Sequence, residues 1–406
     1  MTNAGFSASS VNRKTDIPIM KIPKLSLLAK VAIAIIAGII FGQFLPYGIV
    51  RVFVTFNSLF ANFLSFSIPL IILGLVIPAI GELGRGAGKM LLLTTVIAYS
   101  STLFSAFFTY FSCSAIYPHI IDTGSEAMAV NQLHEATLTP YFTIAMPPVA
   151  DVMTSLILAF AIGLGLSHIQ GDTIRKGFND FREIVVMLIR KAIIPLLPLH
   201  IFGLFLNMTV SGEVASVIST FIKVIAIIFV LHILLLIIQF SIAGAISRRN
   251  PFRLLWTMLP AYATALGTAS SAATIPVTLA QTLNNGVKKS VAEFVVPLCA
   301  TVHLAGSAMK VTALAIAMMF LTGRPIMFGE MAGFIMLLGV TMVAAPGIPG
   351  GAIMAALGLL QSMLGFDETC LSLIVAIYVA IDSFGTACNV TGDGAIAVVI
   401  DKIFRE

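Results

Sequence analysis

Two carboxylates and an amide lie within one long apolar run near the end of the chain. The run 371–400 is almost wholly hydrophobic, yet it contains Asp382, Asn389 and Asp393. Their spacings of seven and four residues place the three side chains within about 40° of one another on one face of an α-helix. A carboxylate at the centre of a membrane costs about 2.5–3.5 kcal/mol, so such residues usually line the path of a substrate or an ion. A carboxylate beside backbone carbonyl groups also offers the oxygen ligands that hard cations prefer.

A second group of polar residues lies in the preceding apolar segment, at about 291–322. His303, Ser307 and Lys310 have the spacing i, i+4 and i+7, which places them on one face of a helix. Lys310 is too far from either end of this segment to reach the membrane surface easily. It is the one plausible intramembrane partner for the two carboxylates. His303 is either a hydrogen-bonded core residue or part of the same functional site.

The composition explains why these polar residues are notable. Hydrophobic residues make up 58% of the 406 residues and charged residues only 10%, whereas a soluble domain has about 25% charged residues. Apolar runs of about 20 residues, long enough to cross a bilayer, recur along the chain. We therefore expect an all-α integral membrane protein. Six ordinary membrane helices are predicted near 25–46, 52–80, 89–118, 148–168, 183–207 and 214–246.

The basic residues predict the orientation of these helices. Between Lys89 and Arg175 there is no lysine or arginine, and the positive-inside rule places such a segment outside. Residues 119–147 are thus expected to form an extracellular loop, and residues 1–24 a cytoplasmic leader. Both termini are expected in the cytoplasm, in a multi-pass protein of the plasma membrane, the inner membrane of a bacterium. The net charge of +5 then reflects topology, and no nucleic-acid partner is predicted.

Two later segments are interrupted at their centres by proline, glycine and serine, at 260–286 and 342–360. The residues that flank each segment at its two ends are expected on the same side of the membrane. Each segment is therefore predicted to enter and leave on one face, as a re-entrant hairpin. Paired interrupted segments are typical of a transporter's binding site, although proline and glycine also kink ordinary helices. The prediction is eight transmembrane helices plus two re-entrant helical hairpins, related as inverted repeats. The four C-terminal elements are hairpin 1 (about 252–288), helix 7 (about 291–322), hairpin 2 (about 330–365) and helix 8 (about 370–402).

Three motifs resemble those of the glutamate-transporter family, the dicarboxylate/amino acid:cation symporters. They are TASSAATIP (268–276), GIPGGAIM (347–354) and DSFGTACNVTGD (382–393), and the resemblance extends over essentially the whole chain. It implies a homotrimer in the lipid membrane, in which each protomer has a fixed scaffold and a sliding transport domain. The implied division assigns 25–80 mainly to the scaffold, 81–118 to the transport side, 148–246 to both domains, and 250–406 to the core of the transport domain.

The resemblance also implies roles for individual residues. Asp382 would bind the amino group of the substrate, Asn389 its main carboxylate, and Asp393 a sodium ion. The implied substrate site consists of Ser270, Ser271, Ser307, Ile348, Gly351, Asp382, Gly385, Thr386 and Asn389. The implied cation or coupling site consists of Cys299, His303, Lys310, Asn389 and Asp393.

Two departures from the family pattern bear on substrate and coupling. Members that carry acidic substrates have an arginine where this chain has Gly385, so a neutral substrate is expected. The family motif Asn-Met-Asp-Gly-Thr is replaced by His-Leu-Ala-Gly-Ser, which puts Ala305 in place of a sodium ligand. Lys310 is then expected to occupy part of the space of a sodium ion, and His303 to make transport sensitive to pH. Sodium, a proton, or both are expected as the coupling ion, with no other cofactor.

The resulting prediction is a secondary transporter with elevator-type alternating access. Its substrate would be a small neutral amino acid such as serine, threonine or alanine. The alternative within the same fold is a symporter for dicarboxylates or acidic amino acids, coupled to sodium or protons. An ion channel is the alternative from another class. An enzyme is not expected, because Asp382 and Asp393 lie eleven residues apart on one helix and cannot form a protease dyad.

Overall fold

The computed structural model of the protein describes residues 26–83, 88–121, 138–212 and 214–404, and every regular element within these ranges is a helix. The expectation of an all-α protein is therefore confirmed. The predicted leader at 1–24 and residues 122–137 of the predicted loop lie outside the described residues.

The N-terminal half consists of seven helices. They are α1 (Leu27–Gly42), α2 (Tyr47–Leu83), α3 (Lys89–Ile116), α4 (Val152–His168), α5 (Thr173–Leu188), α6 (Ile194–Val210) and α7 (Val214–Ser247). A π-helical turn, Ile189–Ile193, joins α5 to α6 without a break. Helices α1 and α4 are shorter than the predicted spans, at 16 and 17 residues.

The described part of the C-terminal half contains eight α-helices. They are α8 (Pro251–Thr268), α9 (Ser271–Asn284), α10 (Lys289–Val302), α11 (Ala305–Leu321), α12 (Phe328–Ala344), α13 (Gly351–Ser362), α14 (Glu368–Ala380) and α15 (Asp382–Ile403). Within the described ranges, six helical stretches are long and apolar enough to cross a membrane: Tyr47–Gly81, Lys89–His119, Thr173–Val210, Val214–Ser247, Lys289–Leu321 and Asp382–Ile403.

The sequence interpretation was wrong about the continuity of two helices. The predicted helix at 291–322 is interrupted at His303 and Leu304, and the predicted helix at 370–402 is interrupted at Ile381. Neither break contains proline or glycine. The first break leaves backbone amides at the start of α11 without partners in their own helix, and a side chain from α15 caps these amides. His303 and Lys310 consequently do not share one helix face, since His303 precedes α11.

Helices α11 and α15 form the core of the C-terminal half. Nearly every residue of both helices is buried, including the polar ones. Helix α15 packs against α7, α8, α9, α10 and α11, while α3 packs along α11. The buried polar residues of α11 and α15 therefore face protein, and the hydrogen-bond partners they have come from the protein itself.

Close approach between α11 and α15 depends on Gly306. A Cβ atom at this position would lie 2.7 Å from the carbonyl oxygen of Gly385 and 2.7 Å from Cys388 Cβ. Backbone atoms cannot move aside as a flexible side chain can, so Gly306→Ala is expected to lower the free energy of unfolding by about 1–3 kcal/mol. Thermal or denaturant unfolding in detergent measures this change.

Gly165 in α4 provides the matched control for this substitution. A Cβ atom at Gly165 would meet no atom within 4 Å, so Gly165→Ala is expected to cause no loss of stability. Equal stability of the two variants would contradict the close packing of α11 on α15.

Candidate functional site

Asn389 fixes the start of α11 from the neighbouring helix α15. Its Oδ1 atom accepts hydrogen bonds from the amides of Gly306, at 2.8 Å, and Ser307, at 3.3 Å. The first amides of a helix have no partner within the helix, so this side chain acts as a cap supplied from another element. The Asn389 amide group donates to Ser307 Oγ at 3.1 Å. The orientation of Asn389 is therefore determined by α11.

Asp382, the first residue of α15, holds two groups from different elements. Its Oδ1 lies 2.9 Å from the Lys310 ammonium group of α11, and its Oδ2 accepts from the Gly350 amide at 2.7 Å. The ammonium group also lies 3.7 Å from the centre of the Tyr378 ring, an arrangement in which the ring face attracts a cation. Thr386 Oγ donates to the Asp382 carbonyl at 3.1 Å. Both carboxylate oxygens are thus engaged by groups of the protein.

Gly385 provides the space in which the Lys310 side chain lies. A Cβ atom at Gly385 would lie 2.6 Å from Lys310 Nζ and would also meet its Cε and Cδ atoms. The lysine therefore rests directly on the bare Cα atom of Gly385. A side chain at position 385 and the observed position of Lys310 exclude each other.

The turns of the two interrupted segments meet beside this site. Ser270 Oγ, before α9, donates to the Gly347 carbonyl at 3.1 Å, and it also caps α9 through the Ala273 amide. Ala269 has left-handed backbone angles, with φ of 49°. We call residues 268–271 the first tip and residues 346–351 the second tip. Gly350, in the second tip, has φ of 73° and directs its amide to Asp382.

Asp393 belongs to a second polar cluster further along α15. Its Oδ1 lies 2.9 Å from His303 Nδ1, and His303 Nε2 lies 3.1 Å from Ser101 Oγ of α3. The side-chain amide of Gln239, on α7, donates to the same Ser101 oxygen at 3.0 Å. Four elements thus contribute to one buried hydrogen-bonded chain. Lys310 is not part of this chain.

Two buried oxygen atoms of this cluster have no hydrogen-bond partner within the described part of the chain. They are Asp393 Oδ2 and Gln239 Oε1. Buried polar atoms without partners are costly, and oxygen donors that include one carboxylate suit a hard cation. No group of three or more histidine, cysteine, aspartate or glutamate residues that could hold a metal ion occurs among the described residues. These oxygen atoms fit a sodium ion better than a transition metal.

A model of the sodium:dicarboxylate symporter family matches residues 27–403, which include both polar clusters and both tips. The chain belongs to this family. Its members transport solutes across membranes, so the protein is a membrane transporter and not an enzyme, and the resemblance inferred from the three motifs is confirmed.

The similarity to individual relatives extends over different fractions of this chain. The serine/threonine transporter SstT of Acinetobacter baumannii is 28% identical over 398 residues, 94% of this chain and 98% of that protein. Excitatory amino acid transporter 1 of Bos taurus is 28% identical over 251 residues, 61% of this chain and 46% of that protein. The same transporter of Mus musculus is 27% identical over 291 residues. The resemblance to SstT thus extends over nearly the full length of both proteins.

Most residues singled out in the sequence of this symporter-family chain lie together in the structure. Asp382, Asn389 and Asp393 all contact the segment 303–310, as their common helix face predicts. The remaining predicted residues differ in their contacts. Ser271 is buried at the start of α9, Ile348 and Gly351 bond to each other within the second tip, and the Cys299 carbonyl accepts from the His303 amide.

Sequence reasoning missed four residues that contact this site: Ser101, Gln239, Gly350 and Tyr378. Gln239 could have been identified from the sequence, because it is one of few polar residues in the long apolar segment that forms α7. Ser101 and Tyr378 could not, since serine and tyrosine are ordinary residues in membrane helices. Gly350 lies in the motif GIPGGAIM, but its role depends on the direction of its amide, which only the fold determines.

Proposed function

We propose that the protein is a secondary active transporter for a small neutral amino acid such as serine, threonine or alanine, coupled to a cation. One observation carries this proposal. Asp382 can bind the ammonium group of a substrate, while Gly385 has no side chain and so provides no guanidinium group for a second carboxylate. The similarity to a serine/threonine transporter along the full chain supports it. The amide group of Asn389 and the amides of the two tips are suited to the substrate's main carboxylate.

The proposed architecture is that of an elevator. The pairs α8–α9 and α12–α13 are re-entrant hairpins that belong, with α3, α10, α11, α14 and α15, to a moving transport domain. Eight transmembrane helices, an inverted repeat and a scaffold built mainly from the N-terminal helices complete the protomer. Three protomers form a homotrimer in the bacterial inner membrane, with both termini in the cytoplasm. The contact of Ser270 with Gly347 supports this proposal, because it brings the turns of both pairs to one place.

Coupling is proposed to use sodium at Asp393, with fewer ions than a complete family site would bind. Asp393 and the partnerless side-chain oxygen atom of Gln239 are the groups that would hold the ion. Sodium would supply positive charge that stabilises the buried carboxylate. Ala305 offers no carboxylate to a further ion.

Binding measurements on the purified protein test the substrate assignment. Calorimetry or thermal-shift titration of neutral amino acids, aspartate and dicarboxylates, with and without sodium, is expected to show the highest affinity for serine, threonine or alanine. Saturable, stereospecific uptake into liposomes separates a carrier from a channel, which would conduct current without substrate. Tighter binding of aspartate or of a plain dicarboxylate than of any neutral amino acid would contradict the proposal.

The second candidate function is transport of dicarboxylates or acidic amino acids. It is favoured by the position of the Lys310 ammonium group, 2.6 Å from where a Cβ atom of residue 385 would lie. Lysine from α11 could then supply the positive charge that relatives supply from position 385. The ion pair with Asp382 argues against this role, because it neutralises the charge that a second carboxylate would need.

A double substitution is expected to change the substrate preference. Lys310→Met with Gly385→Arg removes the cation of α11 and introduces one on α15, so aspartate is expected to bind at least about tenfold more tightly than to the wild type. Gly385→Arg alone is the comparison variant. It places two cations in one buried space and is expected to lose binding of both substrate types in the same calorimetric assay. An unchanged preference in the double variant would show that position 385 does not face the substrate.

A further inference from the structure

Lys310 is a charged residue whose whole side chain is buried. It is 0% exposed, and its ammonium group contacts Asp382 Oδ1 at 2.9 Å, the Asp382 carbonyl at 3.5 Å and the Tyr378 ring at 3.7 Å. A carboxylate and an aromatic face are also the groups that bind the ammonium group of a ligand. The lysine is therefore held in the manner of a bound amine.

The same carboxylate connects this lysine to the second tip. While Oδ1 binds Lys310, Oδ2 accepts from the Gly350 amide. The ammonium group fixes the position of the carboxylate, so that Oδ2 lies 2.7 Å from the Gly350 amide. The second tip is thus bonded to Asp382 while Asp382 is occupied by a group of the protein itself.

We propose that Lys310 is a resident ligand of the substrate site: its ammonium group occupies, at Asp382, the position that the ammonium group of an amino-acid substrate takes. This inference rests on the proposed amino-acid function. The substrate binds by displacing the lysine, and the second tip closes over Asp382 whether the cation there is Lys310 or the substrate. Lys310 is accordingly a positioning residue, which acts on the second tip through Asp382.

The proposed exchange moves the outer part of the Lys310 side chain. The lysine lies along Gly385, and the atoms nearest to that glycine are the flexible Cδ, Cε and Nζ atoms. The titratable groups that face the lysine, besides Asp382 and Tyr378, include the buried Cys388 thiol and His232, whose Nε2 lies 3.1 Å from the Gly306 carbonyl. Asp393 pairs instead with His303.

Closure of the tips without substrate tests the inference directly. Ile348→Cys places a reporter thiol in the second tip and keeps the hydrogen bond from Ser270 to Gly347, and the four native cysteines are all buried. The reporter is alkylated in the full-length protein in nanodiscs, in choline buffer without sodium or amino acids. Slow labelling is expected when Lys310 is present. Lys310→Met is expected to raise the labelling rate by about tenfold or more, the factor set by loss of a hydrogen bond to a charged group.

Two further measurements separate a resident ligand from a merely structural residue. Methylammonium added to the Lys310→Met protein is expected to restore slow labelling, because it supplies the missing cation at Asp382. Gly385→Ala keeps both charges but excludes the lysine from its place, so it is expected to give the same rapid labelling. Gly333→Ala in α12, where a Cβ atom would make only an ordinary contact with Met363, is the matched control and is expected to label as slowly as the wild type.

Each outcome supports or overturns the inference. If Lys310→Met does not fold, Gly385→Ala and the neutral pair Lys310→Met with Asp382→Asn carry the test, and rapid labelling is expected in both. Slow labelling in Gly385→Ala, or no effect of methylammonium on a folded Lys310→Met protein, would overturn the resident ligand. Since the labelling assay contains no substrate, a failed amino-acid binding screen beside a positive labelling result would refute the proposed substrate alone.

Discussion

Asp382→Asn is expected to abolish amino-acid binding and to lower the stability of the protein. The substitution removes the partner of the substrate's ammonium group, which typically costs about 2–5 kcal/mol of binding free energy. It also leaves the Lys310 ammonium group buried without its counter-charge. Removing one partner of a buried ion pair lowers the free energy of unfolding by about 3–5 kcal/mol. Calorimetric titration with serine and thermal unfolding measure the two effects separately.

Two companion variants distinguish lost binding from lost folding. Ser383→Ala changes the next residue along the chain, which is also buried, and it is expected to have a much smaller effect on both measurements. Lys310→Met combined with Asp382→Asn removes both charges and is expected to recover stability without recovering binding. Unchanged serine affinity in Asp382→Asn would mean that no substrate ammonium group binds there, and a carboxylic acid without an amine would become the better candidate.

Substrate affinity is expected to depend on sodium concentration with a Hill coefficient near one, the value for a single ion, and well below three. The only carboxylate in the described cation cluster is Asp393, which already pairs with His303, and Ala305 supplies no second one. Asp393→Asn is therefore expected to remove the remaining sodium dependence. Lys310→Met is expected to increase it, because closure of the second tip would then rely on added cations. The measurement is the dissociation constant for serine over a range of sodium concentrations at constant ionic strength.

The control for this experiment is Gly165→Ala in α4, where a Cβ atom would meet no atom within 4 Å. This variant is expected to keep the wild-type Hill coefficient. A Hill coefficient near three that Lys310→Met does not change would contradict the reduced coupling. It would also require that other oxygen atoms replace the missing aspartate.

The arrangement of α15 could be predicted from sequence because it depends on periodicity alone. Asp382, Asn389 and Asp393 share a helix face, and the structure places all three against one segment. Which group each of them meets was beyond the sequence. Lys310 could have paired with either carboxylate, and its choice of Asp382 depends on the space left by Gly385 and on the Tyr378 ring, residues brought there by the fold.

The interruptions in the two long helices could not be predicted for a different reason. Helix breaks are recognised in sequence by proline, glycine or a local capping residue, and His303, Leu304 and Ile381 are none of these. The cap of α11 is Asn389, more than eighty residues away. A cap supplied across such a distance leaves no local signal in the sequence. The apolar segment 291–322 was therefore predicted to continue as one helix, and that prediction was wrong.

The hydrogen bond that joins the two tips is weak. The bond from Ser270 to Gly347 contributes about 0.5–1.5 kcal/mol. A bias of about 3 kcal/mol at Asp382 changes the ratio of closed to open molecules about a hundredfold. The ion pair at Asp382 therefore has more influence on the population of closed molecules than this bond between the tips.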